Sequence, residues 1–100
     1  MRMAIIAETE AQRRLQDLPG WQLEGQALRR QFTFGGFPDA LAFAVRLGFV
    51  AEAADHHPDI LVSYKRVTLT YSTHSEGGLT DKDFDGAAAA STIAAASGAK

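Results

Sequence analysis

From Asp39 to about His56 the chain runs through Ala, Leu, Phe and Val, with Gly48 as the only glycine and Pro58 two residues beyond. Such a segment has few folded forms open to it. Gly35-Gly36 breaks what precedes, and Pro38 suits the first turn of a helix. Pro58 stops that helix, because the residue before a proline is pushed out of the α region. Phe37, Leu41, Ala44, Gly48 and Ala51 make one apolar stripe, and Phe43, Leu47, Val50 and Ala54 make a second beside it. A helix apolar over so wide an arc is expected to be largely buried, in part against another subunit.

The flanking segments supply what it packs on. Ala7 to Leu18 is polar and helix-favouring, with Ala11, Leu15 and Leu18 on one stripe and Pro19-Gly20 at its end. Trp21 to Glu24 and Ala27 to Phe34 read as a β-hairpin around Gly25. In its second arm Leu28, Arg30, Phe32 and Phe34 face one way and Arg29, Gln31 and Thr33 the other, with Arg30 expected near the end of its face. Trp21 is read as a core anchor. Two more strands follow, Ile60 to Lys65 with Tyr64 as a core or edge residue, and Val67 to His74. In the last of these Val67, Leu69, Tyr71 and Thr73 share one face, and Thr68, Thr70, Ser72 and His74 the other. After the loop Ser75 to Gly78, Thr80-x-x-Asp83 matches a capping box and opens an Ala-rich helix anchored by Phe84 and Ile93. The order αββαββα predicts one α+β domain over residues 1–100, a four-stranded antiparallel sheet with helices packed on one face.

Composition removes several classes of function. A net charge of -2 with scattered basic doublets offers no basic stripe for nucleic acid. The absence of cysteine rules out disulfides, zinc–thiolate sites and thiol nucleophiles. No apolar run approaches a membrane span and no leader pattern opens the chain, so a cytoplasmic location is the expectation.

Chemistry gathers at the three histidines, all between Ala53 and Ser75. His56 and His57 stand at a helix end, where the partial negative charge favours an imidazolium, and His74 closes a strand. Imidazole is the usual acid–base group near neutral pH. Glu52, four residues before His56 on the expected helix, is placed to hydrogen-bond it. Single helix-end histidines are commonly caps or surface residues, and Asp83 has its own explanation as the third residue of a capping box. Asp55 and Asp59 read equally well as solvated charges. Zinc or iron held by the histidines with Glu52 or Asp83 is the rival chemistry. It ranks lower, because adjacent histidines diverge and no His-x-x-x-His pair exists.

The run Glu52-Ala-Ala-Asp-His56-His57-Pro58, followed by Tyr64, His74 and Asp83, resembles the motif of the pterin-4a-carbinolamine dehydratases. Leu18-Pro-Gly-Trp21, Arg30-Gln-Phe32-Thr-Phe34, the Phe37 to Ala51 helix, Ser72-Thr-His74 and Gly78-Leu79-Thr80 extend the likeness over roughly Leu15 to Ala96. Asp59 and Gly86 are mild departures. The resemblance implies an αββαββα fold and dehydration of 4a-hydroxytetrahydropterin to quinonoid dihydropterin, which recycles the pterin cofactor of aromatic amino acid hydroxylases. It implies a pterin substrate with no metal or nucleotide cofactor, no direct nucleic-acid or membrane partner, and assembly as a homodimer or homotetramer. By the same resemblance His56 and His74 carry the two proton transfers and His57 positions the pterin or helps with a proton. Glu52 and Asp83 orient the imidazoles, and Asp55, Pro58, Ser72 and Thr73 line the substrate. A non-catalytic role as a dimerisation cofactor for a regulatory protein is the alternative that the family also implies.

Overall fold

The computed structural model describes residues 4–100; the first three residues of the expected domain lie outside the described part. The elements are α1 (Glu8–Leu15), β1 (Gln22–Glu24), β2 (Ala27–Thr33), α2 (Phe37–Ala54), β3 (Asp59–Ser63), β4 (Arg66–Tyr71) and α3 (Asp81–Ala96), with a short 3-10 turn at His74–Glu76. The expected order αββαββα holds. The four strands form one antiparallel sheet in the order β1-β2-β4-β3.

Strand pleating decides which side is core. Leu28 lies opposite Tyr71 and Phe32 opposite Val67, and all four are buried with Leu69 on one face of the sheet. The helices cover that face. Phe43 on α2 meets Phe32 and Phe34 at ring-centroid separations of 5.3 and 5.0 Å. Such pairs each contribute about 0.5–1.5 kcal/mol beyond simple burial. Ala87, Ala90 and Ala94 bring α3 down on the same core, their small side chains allowing close approach. Trp21 is buried as expected and donates its indole N–H to Ser91 Oγ at 2.8 Å.

Several boundaries and faces differ from expectation. α1 ends at Leu15, not Leu18: the N–H groups of Gln16, Asp17 and Leu18 bond three residues back, a tightened exit before Pro19. Glu10 pairs with Arg13 and Arg14, and Arg14 reaches Asp81 Oδ1 at 2.7 Å, tying α1 to the start of α3. Arg30 sits mid-strand, not near an end. Its guanidinium lies over the Phe32 ring at 4.3 Å and donates to the Pro19 carbonyl at 2.7 Å. Tyr64 is in a hairpin turn at φ 52°, largely exposed, because the strands close at Ser63 and Arg66. β4 stops at Tyr71, and Thr73 forms a lone bridge with Gly78.

α2 runs from Phe37 and buries Ala40, Phe43, Leu47 and Ala51. Phe43 and Leu47 of one expected stripe and Ala51 of the other lie on this buried face, whereas Phe37, Leu41, Val50 and Ala54 of the same stripes are left exposed. Phe37, Leu41, Val45 and Phe49, spaced by four, form a continuous apolar row on the outer face, with Phe49 75% exposed. The helix ends at Ala54, two residues short of His56, because Asp55 adopts the left-handed conformation (φ 52°, ψ 41°). Asp tolerates that region better than most residues, and the reversal lets His56 N–H bond the Ala51 carbonyl at 3.1 Å. No helix among the described residues is long and apolar enough to cross a membrane.

Candidate active site

The left-handed turn at Asp55 separates the two adjacent histidines. Had the helix continued, Glu52 would have faced His56, as the four-residue spacing predicts. Instead Glu52 Oε1 lies 2.7 Å from His57 Nε2 on the surface, both side chains more than half exposed. His56 turns inward, its side chain 12% exposed, with Nε2 2.6 Å from Asp83 Oδ1. The expected Glu52–His56 pair is thus replaced by two pairs, one buried and one solvated.

Asp83 is fully buried in the first turn of α3. Its Oδ2 accepts from the Thr80 backbone N–H at 2.9 Å and from the Thr73 hydroxyl at 2.7 Å. The capping box read from Thr80 and Asp83 is formed. Asp83 therefore serves as cap and as partner of His56 through different oxygens. An ionised carboxylate only accepts hydrogen bonds. Three donors converging on it make Nε2 the protonated nitrogen of neutral His56 and leave the Nδ1 lone pair free. The position at the helix N-terminus also favours the negative charge.

The His56 ring stacks on Tyr71, centroids 6.0 Å apart and planes 24° from parallel. Burial, and secondarily the charge of Asp83, pushes the Tyr71 phenol up to about 12, so it stays protonated. Beneath the phenol runs α3 at Gly86, where a Cβ would stand 2.5 Å from Tyr71 Cε1. His56 and Tyr71 border a cavity of about 200 Å³ between α2 and α3, walled by Val50, Ala54, Gly86 and Ala89 with Lys82 and Asp85 at its rim. A larger cavity of about 440 Å³ lies beneath α1, near Gln12 and Gln26, and touches none of the candidate residues.

Of the remaining sequence candidates, His74 is exposed at the start of the 3-10 turn, one residue from Thr73, and makes no side-chain hydrogen bond among the described residues. Ser72 Oγ donates to the Gln26 carbonyl at 3.0 Å, tying β4 to the β1–β2 turn. Asp55 is exposed and Pro58 half-buried. Among the described residues, no three His, Asp or Glu side chains are placed to hold a metal ion. Sequence reasoning missed Tyr71 and the Thr80 hydroxyl as neighbours of the site. Tyr71 carried only its strand alternation, and Thr80 only its capping pattern.

Over residues 4–93 the chain matches the family described as Pterin 4 alpha carbinolamine dehydratase. A protein of Roseiflexus castenholzii named "Putative pterin-4-alpha-carbinolamine dehydratase" is 51% identical over 85 residues, 85% of this chain and 91% of that one. One of the same name from Sulfolobus acidocaldarius is 44% identical over 80% of this chain and 88% of its own. Among solved structures, the transcriptional coactivator/pterin dehydratase from Brucella melitensis matches with a TM-score of 0.86 at 38% identity, over 91% of this chain and 99% of that one. A pterin dehydratase-like RuBisCO assembly factor of the α-carboxysome shares the fold at 24% identity, with a TM-score of 0.61 over 74% of this chain and 86% of its own.

Proposed function

Because this chain belongs to the pterin-4-alpha-carbinolamine dehydratase family, we propose that it dehydrates 4a-hydroxytetrahydropterin to quinonoid dihydropterin by acid–base chemistry at its histidines. In that reaction the C4a–O bond breaks, the departing hydroxyl takes a proton and leaves as water, and N5 gives up its proton as the C4a=N5 bond forms. No electron changes hands between substrate and protein, so proton transfers alone balance the step and no cofactor is required. One acid and one base near neutral pH are the whole chemical demand, and imidazoles meet it.

The observation that carries this reading is the 2.6 Å contact between His56 and the buried Asp83. A carboxylate pinning Nε2–H presents Nδ1 as a base of fixed direction, the arrangement that histidine-dependent acid–base sites use. His56 Nδ1 takes the N5 proton. His74, exposed and unpaired among the described residues, protonates the leaving hydroxyl. His57, held by Glu52, positions the pterin, with Asp55, Pro58 and Ser72 along the same edge and Thr73 contributing its backbone there. The location in keeping with this role is the cytoplasm, recycling the pterin of aromatic amino acid hydroxylases.

Stopped-flow dehydration of freshly generated 4a-hydroxytetrahydropterin tests this, with His56→Ala and His74→Ala beside the wild type. Loss of activity in both variants is expected. A wild type no faster than buffer overturns the enzymatic reading. A His74 variant as fast as wild type overturns that residue's role alone. Stoichiometric zinc or iron in elemental analysis would overturn the cofactor-free reading.

The outer row Phe37, Leu41, Val45 and Phe49, with Leu61 exposed on the edge strand β3, favours assembly as a homodimer or homotetramer. The same surface, and the description of the Brucella relative as a coactivator, favour a second reading, a dimerisation cofactor for a regulatory protein. His56→Ala discriminates the two readings, since a binding role survives that change and turnover does not.

A further inference from the structure

We propose that Thr73 and Thr80 are positioning residues, whose linked hydroxyls hold Asp83 in the state that fixes the His56 tautomer. The inference rests on the acid–base reading of His56 and goes beyond it, because it takes the Thr73 side chain from the substrate edge and assigns it to the protein interior.

The directions of the hydrogen bonds follow from donor counting. Thr73 has one hydroxyl hydrogen, and Asp83 Oδ2, 2.7 Å away, can only accept it. The 2.8 Å contact between Thr73 Oγ1 and Thr80 Oγ1 is then donated by Thr80. The Asp83 backbone N–H bonds the Thr80 carbonyl at 3.1 Å and is shared with Thr80 Oγ1 within the capping box. The result is a closed ring: Asp83 N–H to Thr80, Thr80 to Thr73, Thr73 back to the Asp83 carboxylate. Thr73, Thr80 and Asp83 are each at least nine-tenths buried, and none of the ring's side-chain oxygens lacks a partner.

Each hydroxyl in such a ring is polarised by the one before it, a cooperation that strengthens each bond by about 10–30%. Its effect is to saturate Oδ2 with two donors and leave Oδ1 for His56 alone. Thr73 also stands immediately before His74 in the chain, so the same residue anchors the backbone that carries the proposed acid. Without the Thr73 hydroxyl, Oδ2 keeps one donor, the Thr80 hydrogen loses its acceptor, and the carboxyl is free to turn. The Nδ1–H tautomer of His56, which cannot accept from N5, then becomes populated.

The test compares wild type with Thr73→Val, Thr73→Ser and Thr73→Cys. It reads the ring-nitrogen NMR shifts of His56, and kcat and KM in the dehydration assay. Wild type and the serine variant are expected to show the Nε2–H tautomer. The valine variant is expected to show a mixture, with kcat at least roughly tenfold lower and KM within about twofold, and serine restores most of the loss. The cysteine variant, with similar volume and only a weak donor, carries the test if valine prevents folding. A valine or cysteine variant with the wild-type tautomer overturns the proposal. A raised KM at unchanged kcat also overturns it and returns the hydroxyl to substrate contact. If wild type shows no turnover, the dehydratase reading fails on its own, and the tautomer measurement still decides the role of Thr73.

Discussion

His56 Nε2 and Asp83 Oδ1 lie 2.6 Å apart, the imidazole 12% exposed and the carboxylate sealed from solvent. The pair joins the chain just beyond α2 to the first turn of α3, two helices that Arg46 and the Ser97 hydroxyl also link at 3.0 Å, so its geometry depends on how they pack. Asp83→Asn keeps the shape and reverses part of the hydrogen bonding. The new amide points its N–H₂ at His56, which then takes the Nδ1–H tautomer and accepts through Nε2, while its carbonyl keeps the Thr73 hydroxyl and the Thr80 N–H. A fall in kcat of at least about 100-fold is expected, as for other carboxylates that set a histidine tautomer. A loss of about 1 kcal/mol or more in stability goes with it, because three hydrogen bonds to a charged acceptor become neutral ones. Urea unfolding monitored by circular dichroism checks the second, and an unchanged midpoint would contradict the buried network.

Gly86→Ala sets two effects against each other. Alanine is the better helix former by about 1 kcal/mol, but its Cβ would meet three Tyr71 ring carbons at 2.5–3.0 Å. Overpacking of a filled core costs typically about 1–3 kcal/mol, and the ring stacked on His56 has little room to withdraw. The variant is expected to melt at lower temperature than wild type and to lose activity through displacement of the imidazole. A higher melting temperature would show that α3 can lift without cost.

Alkaline stability should depend on Tyr71. Its phenol is raised from 10.0 to about 12 in the folded chain. Below pH 10 both folded and unfolded chains keep the proton and stability is unaffected. Between pH 10 and 12 only the unfolded chain releases it, so stability falls as pH rises through that window. Spectroscopic titration should show a phenolate step near pH 12 that is missing in Tyr71→Phe, and the variant should lose less stability over the same window. An unaltered titration curve would place that phenol elsewhere.

Phe49→Glu puts a charge in the most exposed position of the outer α2 row. If copies of the chain pack along that row, the buried charge weakens association by about tenfold or more. Sedimentation should show a smaller species at equal concentration, with the helical circular dichroism signal intact. A mass identical to wild type would place the subunit contact away from α2.

The strands were legible because a period of two leaves no choice of face: once Leu28, Phe32 and Phe34 are inside, Val67, Leu69 and Tyr71 must meet them. The capping box at Thr80 was legible for a similar local reason. α2 was legible as a helix, and its phase only in part: Phe43 and Leu47 share a face as read, but which stripe meets the sheet was not legible. It is apolar nearly all round, with Ala40, Phe43, Leu47 and Ala51 inside and Phe37, Leu41, Val45 and Phe49 outside, so residue type does not separate the two faces. The partners of the histidines were hidden for two reasons. Four-residue spacing assumes an unbroken helix, and an aspartate in the left-handed region does not declare itself as a glycine would. The Thr73–Asp83 contact crosses a ten-residue interval that no periodicity describes.

Asp55, by turning the chain out of the helix, places neighbouring imidazoles in two electrostatic surroundings. The His57–Glu52 contact stands in solvent and is open to screening by dissolved ions, whereas His56–Asp83 is shielded from them. Added salt should therefore loosen one pair and spare the other, and Glu52→Gln should change stability by no more than about 0.5 kcal/mol. Ionic strength becomes a way to address the two histidines separately. The part of the rate that falls with salt reports how the substrate is held, and the part that persists reports the proton transfer at the buried ring.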